Sequence, residues 1–178
     1  MAEFQIAFQK TLTHEGVYSN DPNDSGKETY NGISRVNYQN WQGWPIIDRY
    51  KDKANFPFNM INNVELDKQV ELFYLYEFWL PIEGDLIANQ TTADSIFDFA
   101  VNAGIKTSVQ LAQSIVGTKA DGVIGEQTLK KLNSLDFGYF QPAFTVGKIS
   151  HYIAIIKKRP ANKKYLYGWI IRALEYHS

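Results

Sequence analysis

The stretch HEGVYSNDPNDSGKETYNGI, residues 14–33, decides the fold of this chain. Before it, Phe4, Phe8 and Leu12 recur at helical spacing, and Gly16 is a residue type that commonly ends a helix. We therefore predict an amphipathic helix that ends near Glu15 and leaves the Glu15 carboxylate partly sheltered from water.

The segment that follows Glu15 combines acids with proline and glycine, a composition that favours turns over regular elements. Its polar residues include Asp21, Asp24, Glu28 and Thr29. Glycoside hydrolysis uses such groups in pairs: one acid protonates the leaving oxygen, and a second group stabilises the developing positive charge on the sugar or positions a water. An acid followed by a polar loop is more often structural, because Asp and Asn cap turns and surface acids are solvated. Spacing alone leaves both interpretations open.

The same residues resemble the opening motif of the glycoside hydrolase family 108 muramidases, which belong to the lysozyme-like superfamily and include secretion activators. The matching residues are His14 to Tyr18, Asn20-Asp21-Pro22, Asp24, Gly26, Thr29 and Gly32-Ile33. The resemblance implies that Glu15 is the catalytic acid. The order Glu15, Asp24, Thr29 is also similar to that of phage T4-type lysozymes, which invert configuration. Two positions depart from the family pattern, since Val17 and Lys27 stand where glycines are usual.

Two carboxylates compete for the role of assisting Glu15. Asp21 precedes a proline, which pushes its backbone toward an extended conformation, and a side chain in an Asp-Pro turn is often used by local amides. Asp24 lies before Ser25-Gly26, where the chain can turn back toward the helix. We therefore predict that Asp24, with Thr29, positions water or stabilises the oxocarbenium ion, and we keep Asp21 as the alternative.

The next segment, 34–58, contains two tryptophans together with glycine and proline residues that favour short helical turns. Trp41 and Trp44 are three residues apart, which would place both on one helical face toward sugar. Packing in the core or in a lid is an equal alternative for this pair.

Two longer helices are predicted downstream, over Asn62 to Pro81 and over Thr92 to Gly104, with Asn62 and Thr92 as caps. Phe78-Trp79 and Phe97 to Gly104 resemble two family segments, the second on the far wall of the cleft. The resemblance implies that Tyr18, Trp79 and Asn102 contact substrate. Backbone capping is an equal alternative for Asn102.

From Lys106 the sequence resembles a peptidoglycan-binding repeat. The matching residues of its Asp-Gly-x-x-Gly-x-x-Thr signature are Asp121, Gly122, Gly125 and Thr128. Glycine permits a tight turn with positive φ, and the Asp side chain can bind the turn amides, so the motif explains a fold more directly than a ligand. Two more helices, over 137–158 and 162–176, are predicted to pack as an antiparallel pair.

Composition excludes several classes of function. The chain has 178 residues, a formal net charge of −1 and no long basic run, so nucleic acid is not expected as a partner. It has no cysteine, which excludes disulfides and thiolate chemistry, and its three histidines are scattered. We therefore predict no metal and no cofactor.

The beginning of the sequence shows no charged segment followed by an apolar one, and no apolar run reaches membrane-spanning length. We expect synthesis in the bacterial or phage-infected cytoplasm. Action on the cell wall would follow export or lysis, with a separate holin-like or export partner.

These observations predict a mainly α, lysozyme-like fold, with room for a small β-hairpin in the active-site loop. A catalytic region, 1–104, and a helical peptidoglycan-binding region, 105–178, are expected to pack into one compact unit. The expected function is that of an N-acetylmuramidase, which cleaves the β-1,4 bond between N-acetylmuramic acid and N-acetylglucosamine. A lytic transglycosylase is one alternative, and a wall-binding or secretion-assisting protein that lost catalysis through Val17 and Lys27 is another.

Overall fold

A computed structural model of the chain describes residues 1–13, 15–21 and 27–175. The α-helices are α1 (Phe4–Leu12), α2 (Gly43–Lys51), α3 (Val64–Tyr74), α4 (Gln90–Ala103), α5 (Ile105–Val116), α6 (Glu126–Ser134), α7 (Phe137–Lys158) and α8 (Leu166–Leu174). The strands are β1 (Tyr18–Asn20), β2 (Glu28–Tyr30) and β3 (Ile33–Ser34). Short 3-10 helices cover Phe58–Met60, Leu80–Ile82, Gly84–Leu86 and Pro160–Tyr165, and a π-helix covers Leu75–Trp79. The predicted mainly α, lysozyme-like fold with a small hairpin is confirmed.

The chain forms two compact units. The first, here called the helical unit, comprises Met1–Lys10 and Phe78–Ser178. The second, the sheet unit, comprises Thr11–Glu77. The predicted division at residue 104 falls between α4 and α5, which both lie in the helical unit, and as a division of function it stays a prediction.

The sheet unit contains a three-stranded antiparallel sheet in the order β1-β2-β3. Tyr30 of β2 pairs with Ile33 of β3, so only Asn31 and Gly32 connect the two strands. Both have positive φ, 44° at Asn31 and 76° at Gly32, as in the type I′ turn that Asn-Gly favours. The two-residue connection fixes the register of the hairpin.

Aromatic packing fills the sheet unit behind the sheet. Trp41 and Trp44 meet edge to face with ring centroids 5.0 Å apart, and their indole N–H groups donate to the carbonyls of Gln69 and Tyr38, at 3.2 and 2.7 Å. Trp44 is 1% exposed and Trp41 is 9% exposed. Packing is therefore the main role of both indoles.

In the helical unit, α4 and α5 pack together and α7 packs on both. Their buried faces bring together large side chains, among them Phe97, Phe99, Phe140, Phe144 and Tyr152. The bounds of α7 agree with the prediction over 137–158. Among the described residues, no helix combines the length and apolar character that crossing a membrane requires.

Several predicted helix ends are wrong by a few residues. Asn63, not Asn62, caps α3, because its side-chain oxygen accepts from the N–H of Leu66 at 3.0 Å. Asn89, not Thr92, caps α4 by accepting from the Thr92 N–H at 2.9 Å. In both cases the competing polar residue lies within three positions of the true cap, and sequence alone does not distinguish them.

Two predicted helices also differ in their winding. The helix predicted to run to Pro81 is α-helical only to Tyr74 and continues as the π-helix Leu75–Trp79 and a 3-10 helix. The helix predicted from Asn162 begins as the 3-10 helix Pro160–Tyr165 before α8. Side-chain periodicity predicts a helix but does not separate these forms from α-helix.

Candidate active site

Glu15 follows α1 directly and lies in the sheet unit. Its backbone N–H donates to the carbonyl of Leu12 at 3.1 Å, which closes the last turn of the helix. The side chain is half-buried, as the sequence predicts. A carboxylate in this position is sheltered on one side and accessible on the other.

The hairpin turn provides the sheltered side. A Cβ built on Gly32 would lie 2.5 Å from Glu15 Oε2 and 3.0 Å from Glu15 Cδ, closer than real contacts allow. The carboxylate therefore occupies the space that a side chain at residue 32 would take. Glycine also permits the φ of 76° at this turn position, so one residue serves both the turn and the carboxylate.

Tyr74, at the end of α3, fixes the same turn. Its hydroxyl donates to the carbonyl of Asn31 at 2.7 Å, and the N–H of Asn31 donates to the carbonyl of Val17 at 2.9 Å. The hydroxyl also lies 2.8 Å from the position that a Gly32 Cβ would occupy, next to the Glu15 carboxylate. Tyr74 is 2% exposed. Its hydroxyl therefore ties α3 to the turn that supports Glu15.

The other predicted catalytic residues are placed as follows. Thr29 lies in the middle of β2, opposite Ser19 and Ser34 in the neighbouring strands, and is half-buried. Its side chain points to the sheet face opposite Tyr30, because strand residues alternate. Asp21 is exposed. Asp24 lies outside the described residues, so its predicted role remains a prediction.

Glu28 has a structural role that sequence reasoning missed. Its carboxylate accepts from Lys51 at 2.7 Å and from Arg35 at 3.0 Å, and Arg35 forms a second, bidentate pair with Asp48. Burial acts to raise the pKa of Glu28, but the hydrogen bonds and charges of Lys51 and Arg35 outweigh it and lower that pKa. Glu28 is therefore held ionised and is not a proton donor at neutral pH.

Tyr18 extends this charge network. Its hydroxyl donates to Glu28 Oε1 at 3.2 Å, and its ring packs edge to face on Phe56 with centroids 4.8 Å apart. The side chain is half-buried, so one side of the ring is accessible. The predicted substrate contact of Tyr18 is compatible with this placement and stays a prediction.

Comparison with known families gives the identity of the chain. Residues 8–104 match the model of glycosyl hydrolase 108, and residues 107–174 match a model described as a predicted peptidoglycan domain. The chain belongs to the glycosyl hydrolase 108 family. With its peptidoglycan region, this family 108 protein is a peptidoglycan hydrolase.

One solved structure similar to this family 108 hydrolase is that of SagA from Brucella abortus. The two are 21% identical, with a TM-score of 0.70, and the match covers 97% of this chain and 90% of the other. At this identity the likeness shows the fold alone. No curated protein matches the chain.

Two residues predicted to contact substrate lie in the helical unit of the hydrolase. Trp79 is fully buried, its indole N–H donates to Asp85 Oδ1 at 2.8 Å, and its ring packs against Phe4 and Phe97. In this placement Trp79 offers no ring face to a sugar, so its position supports packing and not substrate contact. The sequence shows the aromatic segment but not which of its rings is buried.

Asn102 lies near the end of α4 and is half-buried. Its side-chain oxygen accepts from the Tyr152 hydroxyl at 2.9 Å. Tyr152 in turn stacks on Trp169, with ring centroids 5.1 Å apart. Gly104, and not Asn102, is the residue that ends α4. The observed hydrogen bond of the Asn102 side chain is instead to Tyr152 of α7.

The Asp121 turn in the peptidoglycan region is organised by a buried glutamine. Gln113 donates to Asp121 Oδ1 and to the carbonyl of Val123, both at 2.9 Å, and accepts from the N–H of Gly122 at 2.9 Å. The Asp121 carboxylate also accepts from the N–H of Val123 at 3.1 Å. Gln113 thus links the signature residues Asp121 and Gly122, and Asp121 binds an amide of its own turn, as predicted from the sequence.

Proposed function

We propose that this peptidoglycan hydrolase is an N-acetylmuramidase, which cleaves the β-1,4 bond between N-acetylmuramic acid and N-acetylglucosamine with Glu15 as the general acid. The observation that carries this proposal is the half-buried Glu15 carboxylate held against the bare backbone of Gly32. A positioned carboxylic acid can pass its proton to the glycosidic oxygen while the bond to the sugar carbon breaks.

The surroundings of the other carboxylates favour Glu15 as the donor. Glu28 and Asp48 share Lys51 and Arg35, and hydrogen bonds from these cations hold the pKa of both carboxyl groups below the usual range against the effect of burial. An acid that is ionised by adjacent cations has no proton to give near neutral pH.

We further propose that Asp24 and Thr29 act on the water or on the positive charge that develops at the sugar, with Asp21 as the alternative carboxylate. In an inverting enzyme the two carboxyl groups stand about 6.5–9.5 Å apart to admit a water, and in a retaining one about 5–5.5 Å apart. The T4-type order of the three residues favours inversion.

The two departures from the family motif are compatible with catalysis. Lys27 has a φ of 50°, in the left-handed region where glycine is favoured, so the chain keeps the conformation that the usual glycine would adopt. Val17 is 52% exposed, and its contact with the turn is made by its backbone carbonyl. Neither side chain is therefore a reason to expect an inactive protein.

Digestion of purified peptidoglycan, with mass analysis of the fragments, tests the proposal. A muramidase leaves reducing N-acetylmuramic acid ends, whereas a lytic transglycosylase leaves 1,6-anhydro ends that lack the added water. Glu15→Gln should release fragments at least about a hundredfold more slowly than the wild type. The matched control is Glu65→Gln, which removes an exposed carboxylate of the same unit and should digest normally. Reducing N-acetylglucosamine ends would contradict the proposed bond.

A further inference from the structure

A cavity of about 520 Å³ opens on the sheet unit. One wall is the segment 37–42 between β3 and α2, and the other is formed by one face of α3 and the first residues of the π-helix. Glu15, Gly32 and Thr29 are not among the residues that line it. Its volume lies in the range of about 300–1,000 Å³ that is typical of small-ligand sites.

The lining of this cavity has an unusual chemistry. Five of its side chains are amides, contributed by Asn37, Gln39, Asn40, Gln42 and Gln69. A side-chain amide both donates and accepts, so it can pair with sugar hydroxyls and with the N-acetyl group of an amino sugar. The lining residues include one carboxylate, Glu77, and no cation, which disfavours phosphate or another anionic ligand.

Aromatic rings complete the lining. Tyr76 is 61% exposed, although a large aromatic side chain normally finds cover. Tyr38 is half-buried and rests edge to face on Phe73, with ring centroids 4.6 Å apart. Exposed and half-exposed rings beside amide groups offer a sugar both a stacking surface and hydrogen bonds.

The wall of the cavity is rigidly supported. The Trp41 indole joins the two walls, because its N–H donates to the carbonyl of Gln69 in α3 at 3.2 Å. The carbonyl of Tyr38 accepts from the Trp44 indole at 2.7 Å. A preformed wall lowers the conformational cost of binding.

We propose that this cavity binds an uncharged N-acetylated amino sugar of the glycan strand, of the N-acetylglucosamine class, at a place separate from Glu15. The inference rests on the proposed function for the identity of the polymer. Such a site would bind a second sugar residue along the glycan strand. It would add affinity for the cell wall without taking part in bond cleavage.

Chitotriose, a soluble oligomer of N-acetylglucosamine, is the probe for the test. The indole N–H resonance of Trp41 should shift and saturate when chitotriose is titrated into the Glu15→Gln protein, which removes turnover. The indole resonance of Trp79, which is fully buried in the helical unit, serves as the reference. The absence of a saturable Trp41 shift at millimolar chitotriose would overturn the inference.

A pair of aromatic variants sharpens the test. Tyr76→Ala should weaken chitotriose binding by about tenfold, since aromatic anchors contribute strongly to binding. Phe58→Ala is the matched control, because Phe58 is also largely exposed, at 73%, and lies in the same unit without lining the cavity. Equal affinities of the two variants would refute the site. A Trp41 shift with the peptidoglycan stem tripeptide, but not with chitotriose, would refute the sugar assignment.

Failure of this inference is distinguishable from failure of the proposed function. The products of wild-type digestion report on Glu15 and on the bond cleaved, whereas the Trp41 titration reports on the cavity in a protein that does not turn over. If the protein has muramidase activity but its Trp41 resonance does not shift with chitotriose, the proposed function stands and the sugar site in the cavity is refuted.

Discussion

Two glycines with similar positive φ angles serve different purposes in the two units. Gly32 has a φ of 76° and Gly122 a φ of 86°, and each sits where a Cβ would collide with a neighbour. At Gly32 the neighbour is the Glu15 carboxylate, at 2.5 Å, and at Gly122 it is Lys106 Cγ, at 2.8 Å. The first glycine makes room for a candidate catalytic group, and the second makes room for packing.

The surroundings of the two turns extend this contrast. Around Gly122, the side chains of Gln113 and Asp121 are engaged with the turn itself. Around Gly32, the turn is held from outside by Tyr74, and the adjacent Glu15 is half-exposed. A glycine with a positive φ thus supports a candidate catalytic site in one turn and only local structure in the other. The polar side chains around each turn distinguish the two cases.

The largest effect is expected at Glu15. Glu15→Gln keeps the shape of the side chain but removes its transferable proton, so kcat should fall by on the order of a hundredfold to ten-thousandfold. The melting temperature and co-sedimentation with intact wall should stay near those of the wild type. Retention of half the activity would remove Glu15 from the mechanism.

The second largest effect is expected for Gly32→Ala, which tests the difference between the two glycines directly. Gly32→Ala places a methyl group 2.5 Å from Glu15 Oε2, so the carboxylate must move. A displacement of roughly 1 Å at a reacting group can cost on the order of a hundredfold in rate. We therefore expect at least about a tenfold loss of kcat.

Gly122→Ala is the control for that variant. Both substitutions put a side chain in the left-handed region and should cost about 1–2 kcal/mol of stability, but only Gly32→Ala should lose activity. Urea denaturation and turnover of a soluble glycan measure the two quantities. Equal losses of turnover in the two variants would show that Gly32 has no special relation to catalysis.

A stability effect without an activity effect is expected at the Asp121 turn. Gln113 is 1% exposed, and its replacement by Ala leaves the turn groups without their buried partner, at a cost of about 1–3 kcal/mol. Turnover of a short soluble glycan should be unchanged. Asp121→Ala should likewise lower the melting temperature. Lost wall binding at an unchanged melting temperature would instead make Asp121 a ligand residue.

The smallest effect is a pH dependence in the helical unit. Lys148 of α7 is buried, with its amine 3.3 Å from Ser95 Oγ, and burial lowers its pKa to about 8. Its ordinary pKa is 10.5, so above about pH 8 the unfolded chain binds more protons than the folded one and stability rises with pH.

This rise should amount to about 1 kcal/mol per pH unit until the ordinary pKa is approached. Urea denaturation at a series of pH values measures it, and Lys148→Met should remove that contribution. Because Lys148 is assigned a structural role, turnover should not change in the variant. A wild-type curve that matches Lys148→Met across this window would show that burial does not lower the pKa of the Lys148 amine.

Local signals predict much of the fold and the half-sheltered placement of Glu15. Apolar spacing and Pro160 placed α7 at its observed bounds, and Gly16 with the preceding apolar residues placed Glu15 at a half-sheltered helix end. The Asn31-Gly32 pair is itself a strong hairpin signal, which would have located the turn between β2 and β3.

Long-range partners could not be predicted. Tyr74 belongs to the apolar stripe of α3, and nothing local shows that its hydroxyl reaches Asn31, 43 residues away. The ion pairs of Glu28 and the burial of Trp79 are likewise set by residues distant in sequence. Periodicity identifies which face of an element is buried, whereas the polar partner on that face depends on tertiary packing.

The turn that contacts Glu15 is also prone to slow deamidation. Asn31-Gly32 is the only Asn-Gly pair in the chain, and such a pair forms a succinimide readily because glycine does not hinder attack of its backbone nitrogen on the Asn side chain. Hydrolysis of the ring yields isoaspartate, which inserts a methylene into the backbone of the turn. We expect storage at alkaline pH to inactivate the enzyme through this ageing reaction, with the modified residue at the support of Glu15 and the fold retained.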